Sequence, residues 1–488
     1  MKKLLTLIAA GAMLFGSVAM ASATDIKIKG KFDFGFGLYD GTFFTKHDNE
    51  ESFDSMQRFR TQVDFIASES LKGVLALEIG NIRWGHGGGA TWQRGVTGAG
   101  RGAGGAMGAD GVNVEVQHAY LDWVVPNTEL QVRMGIQPYW LPNGMNRADW
   151  NSGNFILDDD LAGILLSYGF NENIGVNLAW FRPWDPYNNF QTSHRWKTHD
   201  EIDTFILTVP IEVADTFTLH PYGMFASVGM VDDLYDSNDL SASNHTIGSW
   251  MSGNAELGDD GTAWWAGLAA SLEYFDPFYV EFDFAYGRYS ADNTVAGRFG
   301  STDPDRAGWV TDIKFGYRMD SLTPILFGWY GSGADVDGGD GMDGMLPVMS
   351  SYWGMTSFGW AQSHFGGREY LVMDSPAGTW GIGAGIEDIR FLENLTSQLR
   401  FAYFRGTSDV ERYNENAKHI GELDAFRDFQ LLDKSDWGME INLDNKINIY
   451  ENLDMYVELA YIHMDVEHHS DSFDGNAWKS YVGFTYNF

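Results

Sequence analysis

Apolar and polar positions alternate with a period of two along almost the whole chain, and four pairs of segments show it most clearly. Ile164, Leu166, Tyr168 and Phe170 alternate up to Asn171-Glu172-Asn173, and Ile174, Val176, Leu178 and Trp180 alternate away from it. Leu268, Ala270, Leu272 and Tyr274 reach a turn at Asp276-Pro277, followed by Phe278, Val280, Phe282, Phe284 and Tyr286. Thr311, Ile313, Phe315, Tyr317 and Met319 precede Asp320-Ser321, and Ile325, Phe327 and Trp329 follow. Trp437, Met439, Ile441 and Leu443 lead toward Glu451-Asn452, then Leu453, Met455, Val457, Leu459 and Tyr461. A period of two sends successive side chains to opposite faces of a sheet. Each pair therefore predicts a hairpin with one apolar face, and each named stripe is expected to face outward.

Charge tests the same register. A Lys or Arg facing lipid at mid-membrane costs about 2–4 kcal/mol, so membrane strands keep charge opposite the apolar stripe. Asp312, Lys314 and Arg318 oppose Ile313, Phe315 and Tyr317, and Glu281 and Asp283 oppose Val280 and Phe282. Leu130, Val132, Met134 and Ile136 oppose Gln131, Arg133 and Gln137. A soluble sandwich has no reason for such consistency.

Strands are predicted near 25–39, 55–68, 73–84, 112–125, 129–137, 162–170, 174–182, 201–213, 217–231, 262–275, 278–289, 307–319, 324–332, 379–387, 396–405, 434–449, 453–464 and 476–488. Short turns alternate with long polar loops, the asymmetry of a barrel with tight periplasmic turns and long external loops. The fold class is all-β: a transmembrane antiparallel β-barrel of 16–18 strands, eighteen as counted and sixteen if two weaker segments are misread. A ring that wide leaves an aqueous bore.

The chain opens with Lys2 and Lys3, an apolar run from Leu4 to Val18, and the small-x-small site Ala21-Ser22-Ala23. That pattern predicts a cleaved signal peptide over 1–23 and a single barrel domain over 24–488. The apolar run is shorter than the ~20 residues of a spanning helix. Mean hydropathy is −0.24 and aromatics make up 15% of the chain, which suits a barrel with aromatic belts at both membrane interfaces. There are no cysteines, so neither disulfides nor thiols carry structure or function. Without the signal, 30 basic residues face 67 acidic ones, a formal charge of −37. Such a balance excludes a general nucleic-acid binder. It points instead to acid-rich loops that gather cations.

Gln137 to Trp150 is unusually apolar for an external loop. Tyr139, Trp140, Leu141 and Trp150 would find cover inside the wall more readily than in water. Folded inward, Asp149 and the acids Asp158, Asp159 and Asp160 would oppose Arg58, Arg60 and Arg133 on the inward faces of the second and fifth strands, with Arg147 in the same constriction. A basic wall facing an acidic loop sets a field across a pore constriction. An external loop packed at a subunit contact is the other reading.

The last strand alternates to the final residue, with Val482, Phe484, Tyr486 and Phe488 on one face. This ending resembles the signal read by the outer-membrane barrel assembly machinery. With the opening Ile26-Lys27-Ile28-Lys29-Gly30 and the segment Gln137-Pro138-Tyr139-Trp140-Leu141-Pro142, the chain resembles the outer-membrane homotrimeric porins of sulfate-reducing bacteria. The resemblance implies a trimer of water-filled barrels in a Gram-negative outer membrane, bounded by lipid and lipopolysaccharide, that passes ions and small hydrophilic solutes. General diffusion porins also fold their third external loop inward. The loop 85–111, with twelve glycines in 27 residues, would either latch onto a neighbouring subunit or remain solvated.

Catalytic patterns fall short. His86-Gly87-Gly88-Gly89 has no Gly-x-Ser-x-Gly elbow to serve, and the glycines from Gly98 to Gly105 lack a strand–helix context. Asp335 to Gly341 starts like a calcium loop, but its twelfth position is Leu346. His468-His469 would point apart in a strand. No cofactor is expected beyond weak Ca2+ at acidic loops such as 232–260, where Asp232, Asp233, Asp236, Asp239, Glu256, Asp259 and Asp260 occur without any Lys or Arg. The expected activity is passive diffusion through a channel rather than catalysis. A substrate-selective channel is the near alternative, and an outer-membrane lipase or protease the distant one.

Overall fold

The last strand pairs with the first, so the sheet closes on itself. In the computed structural model the seam runs from Lys31↔Asn487 to Asp40↔Trp478. Gly30 and Phe488 exchange both backbone hydrogen bonds at 3.0 Å. Closure removes the exposed edges of an open sheet. The structure describes residues 24–41, 52–84, 114–144, 153–184, 201–229, 261–291, 295–297, 300–302, 305–333, 344, 346–350, 353–360, 363–364, 375–409, 432–466 and 475–488.

The strands are β1 (Asp25–Asp40), β2 (Ser52–Ser68), β3 (Leu71–Arg83), β4 (Glu115–Val124), β5 (Leu130–Trp140), β6 (Asp158–Gly169), β7 (Gly175–Trp184), β8 (Ile202–Thr208), β9 (Ile211–Ala214), β10 (Phe217–Val228), β11 (Gly261–Leu272), β12 (Phe278–Ala291), β13 (Val295–Gly297), β14 (Gly300–Thr302), β15 (Arg306–Tyr317), β16 (Thr323–Gly331), β17 (Thr379–Leu392), β18 (Leu395–Gly406), β19 (Trp437–Tyr450), β20 (Leu453–Asp465) and β21 (Gly475–Asn487). Both β8 and β9 pair with β10 and form one stave, broken at Val209-Pro210 where proline lacks a ladder donor. Strands β13 and β14 pair only with each other. The ring thus has eighteen antiparallel staves, and each coincides with one segment predicted from the alternation.

The two ends differ. Glu69-Ser70, Asp215-Thr216, Glu393-Asn394 and Glu451-Asn452 each turn the chain in two residues. At Asn171 the side-chain Oδ1 accepts from the backbone N–H groups of Asn173 and Ile174, both at 2.9 Å, which fixes that turn. The opposite end carries the long connections, such as those leaving β3, β5 and β16.

Outward faces are apolar and belted at both ends. Near the long loops Trp309 packs on Tyr330 at 4.8 Å, and Trp380, Tyr403 and Trp437 follow one another at 5.9 and 5.8 Å. Near the short turns Phe278 meets Tyr317 at 4.7 Å, and Phe59 stacks on Phe488 at 6.2 Å. Trp309 and Tyr317 lie eight residues apart on β15. That is about 26 Å along a strand, comparable to the ~25 Å apolar band of outer-membrane barrels.

One predicted stripe has the opposite phase. Ile325, Phe327 and Trp329 point inward and are 3%, 3% and 4% exposed, whereas Leu326 and Tyr330 face outward at 61% and 39%. Alternation fixes the period but not the phase. Here the inward side chains are apolar because they belong to one buried cluster with Trp353 and Trp360, both of which meet Trp329 edge to face.

Candidate functional site: a charged wall and two inward segments

A row of charge lies on the inward faces of β1 to β5. The register sets Asp33 opposite Arg58, Lys31 opposite Arg60, Arg60 opposite Glu78, Lys72 opposite Asp122 and Asp122 opposite Arg133. Opposite charges directly across a ladder attract, and the like pair Lys31 and Arg60 is offset by Asp33, 3.4 Å from Lys31, and by Glu78 beside Arg60. Arg58 Nε lies 3.5 Å from Asp33, Arg60 Nε 2.5 Å from Glu78, and Lys72 Nζ 3.8 Å from Asp122. Arg133 grips Asp122 with two bonds of 2.9 and 3.0 Å and lies 4.6 Å over the Tyr120 ring.

These pairs are lopsided toward the bore. The Lys31, Arg60, Lys72 and Arg133 side chains are 34%, 32%, 36% and 26% exposed, while Asp33, Glu78 and Asp122 are only 1%, 12% and 9% exposed. Each acid is tucked behind its base. Along these pairs water in the bore therefore meets cations, while Asp64 on the same face of β2 is half-buried and takes a bond from Gln62 at 2.6 Å.

The connection from β5 to β6 turns inward. Leu141, Phe155, Ile156 and Leu157 are fully buried, and the Gly144 N–H donates to both Asp283 oxygens at 2.8 and 2.9 Å. A Cβ at Gly144 would stand 2.6 Å from the carbonyl oxygens of Ala270 and Phe282, so the backbone can come this close only without a side chain. Asn154 closes the segment by donating to Pro142 O at 2.8 Å while its Oδ1 accepts from Ile156 N–H, also at 2.8 Å. Trp140 differs from expectation. It is the last residue of β5, faces outward and is 59% exposed.

A second inward segment, from the β16–β17 connection, crosses the wall of β15 to β21. Met349 and Ser350 N–H both donate to Ile156 O at 3.0 Å, which joins the two segments. Trp353 Nε1 donates to Asp312 at 2.6 Å. Glu440 accepts from the Thr356 hydroxyl and from the Phe358 and Gly359 backbone N–H groups, at 2.6, 3.1 and 3.0 Å. Ser357 donates to Asp444 at 2.7 Å, and Ser363 and the His364 backbone N–H both donate to Glu458 at 2.7 Å. Trp329, Trp353 and Trp360 meet edge to face at 5.2 to 5.5 Å. His364 stacks over Tyr456 and bonds Thr485 at 2.8 Å, and Thr485 in turn donates to Asp33. Burial, against the pull of Glu458 and Asp33 and with a smaller push from Lys31 and Arg58, brings the His364 imidazole down to about 4.

Arg58, Arg60 and Arg133 are thus brought together on one wall. Among the described residues, the wall carboxylates Asp33, Glu78 and Asp122 lie against them. Asp158, Asp159 and Asp160 open β6, where Asp160 bonds His118 at 2.8 Å. Val482, Phe484, Tyr486 and Phe488 lie on the outward side of the closing strand. Arg147, Asp149 and Trp150 lie outside the described residues, as do the signal segment 1–23, the glycine-rich loop, the acidic stretch 232–260, and the patterns at His86, Asp335 and His468. Sequence reasoning missed Glu440, Asp444 and Glu458. Their signal was available, because they alternate with Ile441, Leu443 and Leu459 as inward residues must. The apolar Trp353, Phe358 and Trp360 mark the second segment by the same logic that singled out Tyr139 and Leu141.

A closed eighteen-stave sheet, an apolar belted exterior and a charged interior define a porin-like β-barrel of the outer-membrane type. No protein-family model and no curated protein matches the chain. Among solved structures, Pseudomonas aeruginosa OpdL superposes with a TM-score of 0.51 at 11% identity, covering 95% of this chain and 99% of that one. Pseudomonas aeruginosa OccK11 (OpdR) and Acinetobacter baumannii OccAB2 both score 0.49 at 11% identity. They cover 94% and 95% of this chain and 96% and 98% of their own. At such identity the likeness concerns the fold.

Proposed function

We propose that the protein is a passive outer-membrane channel of a Gram-negative cell whose bore favours small anionic hydrophilic solutes. The observation that carries this is the lopsided pairing on β1 to β5, which turns Lys31, Arg60, Lys72 and Arg133 toward water and hides their acids. A unit charge about 5 Å from a passing ion contributes about 0.8 kcal/mol in water, roughly fourfold in partition. Several such charges along a narrow path make an anion filter.

Arg60→Ala with Arg133→Ala uncovers Glu78 and Asp122. In a KCl gradient across a planar bilayer, the reversal potential is expected to move toward cations, with the permeability ratio shifting about tenfold. An unmoved potential overturns the anion reading. Current that saturates with one solute, instead of rising in proportion, would mark a substrate-selective channel. Turnover without conductance would mark an enzyme.

The same reading carries its neighbours: lipid and lipopolysaccharide against the exterior, the assembly machinery at the Val482–Phe488 face, and weak Ca2+ at the acidic external loops. The resemblance to the porins of sulfate-reducing bacteria adds two further copies in a homotrimer.

A further inference from the structure

The wall behind the second inward segment is lined for water, although the segment covers it. Asp312, Glu440, Asp444 and Glu458 are each 0–1% exposed, beside Arg400 at 1% and Lys479 at 2%. A permanent core gains nothing from such a lining. Burying charge is expensive, and apolar replacements of equal volume are often neutral or stabilising. Satisfaction is also incomplete: Asn442 Oδ1, Trp360 Nε1 and Tyr481 Oη find no hydrogen-bond partner among the described residues. Buried polar atoms in a fixed interior are nearly always paired.

The cover itself is held mainly by polar bonds that water can replace. Trp353, Thr356, Ser357, Phe358, Gly359, Ser363 and His364 all donate to wall carboxylates. Its apolar contacts are ring packings, Trp353 and Trp360 against Trp329 and Phe404 and Phe358 against Tyr39.

We propose that residues 353–360, with Ser363 and His364, form a displaceable partition, and that lifting it opens a second, acid-lined path beside the basic one. Five carboxylates stand behind the partition, Glu387 with the four above, against three cations, Lys314, Arg400 and Lys479. Arg400 is itself paired with Glu387 at 2.5 Å, and Lys479 with Glu458 at 2.7 Å. The opened bore is therefore wider and takes cations, opposite to the closed one. The proposal rests on the channel reading above and adds a second state to it.

The test is single-channel recording of the full chain in planar bilayers. Thr356→Val, Ser357→Ala and Ser363→Ala together remove three loop donors and leave the wall acids in place. The triple variant is expected to visit a level with about twofold higher conductance, since uncovering the far wall widens the open cross-section. The reversal potential of that level is expected to lie on the cation side. Ser357→Cys with Asn442→Cys supplies the converse, because the chain has no other cysteine and the two side chains already meet at 3.2 Å. Oxidation should abolish the large level, and a reductant should restore it. A triple variant with unchanged conductance, or a large level that prefers anions, overturns the partition. Neither result touches the anion preference of the small level, which Arg60 and Arg133 test separately.

Discussion

Lys479→Met is expected to strip protection from the amides of Phe358, Gly359 and His364 by two to three orders of magnitude, read by hydrogen exchange of the detergent-solubilised barrel. Lys479 Nζ lies 2.7 Å from Glu458, and the two side chains are 1% and 0% exposed. Lys479 also bonds the Ser357 carbonyl and reaches Ser363 at 3.4 Å, so it ties wall and partition together. Removing one partner of a buried pair leaves an uncompensated charge, at a cost of about 3–5 kcal/mol. Water can reach Glu458 only if the partition lifts, so the cost should appear as opening rather than as global unfolding. Adding Glu458→Gln to Lys479→Met removes the orphaned charge and should recover most of the protection. Equal losses in the single and the double variant would show that packing, not charge, holds the segment.

How much of this was legible in the sequence depends on the range of the forces involved. The staves were, because a strand's two faces answer to lipid and water, two uniform solvents that stamp a period on every residue. Leu268 to Tyr274 and Met439 to Leu443 face outward as their alternation requires. The inward side of β16 was not, since the environment of Ile325, Phe327 and Trp329 is set by Trp353 and Trp360, residues more than twenty positions later in the chain. The bore was half legible. Arg58, Arg60 and Arg133 follow from parity, but their partners follow from register between neighbouring strands. That register pairs Arg60 with Glu78 and Arg133 with Asp122, and neither can be read from one strand alone. The Glu440–Glu458 anchor needed one further step, from inward parity to a loop that returns onto it.

Register also decides the seam, where Gly30→Val is expected to block closure. A Cβ at Gly30 would stand 2.5 Å from the Arg60 carbonyl oxygen and 2.7 Å from the Phe488 ring. The first neighbour is backbone already paired in the β1–β2 ladder and cannot move aside. The strain must instead fall on the bonds between Gly30 and Phe488 and on the packing of Phe488 against Phe32 and Phe59. Losing two backbone hydrogen bonds at about 1 kcal/mol each and part of an aromatic side chain's burial at about 1.5–3 kcal/mol shifts the seam by roughly 3–5 kcal/mol. Because β1 and β21 are consecutive only in space, no local turn holds them together while that energy is missing. The folded, heat-modifiable form in outer-membrane fractions should therefore fall at least about tenfold, since even half of that energy exceeds a tenfold change in equilibrium. Gly73→Ala is the control: this glycine also lies in an N-terminal strand, yet its added Cβ would meet nothing nearer than Phe65 Cβ at 3.8 Å. It should assemble normally. If Gly30→Val assembles as well as Gly73→Ala, the close approach of Gly30 to Phe488 does not govern closure.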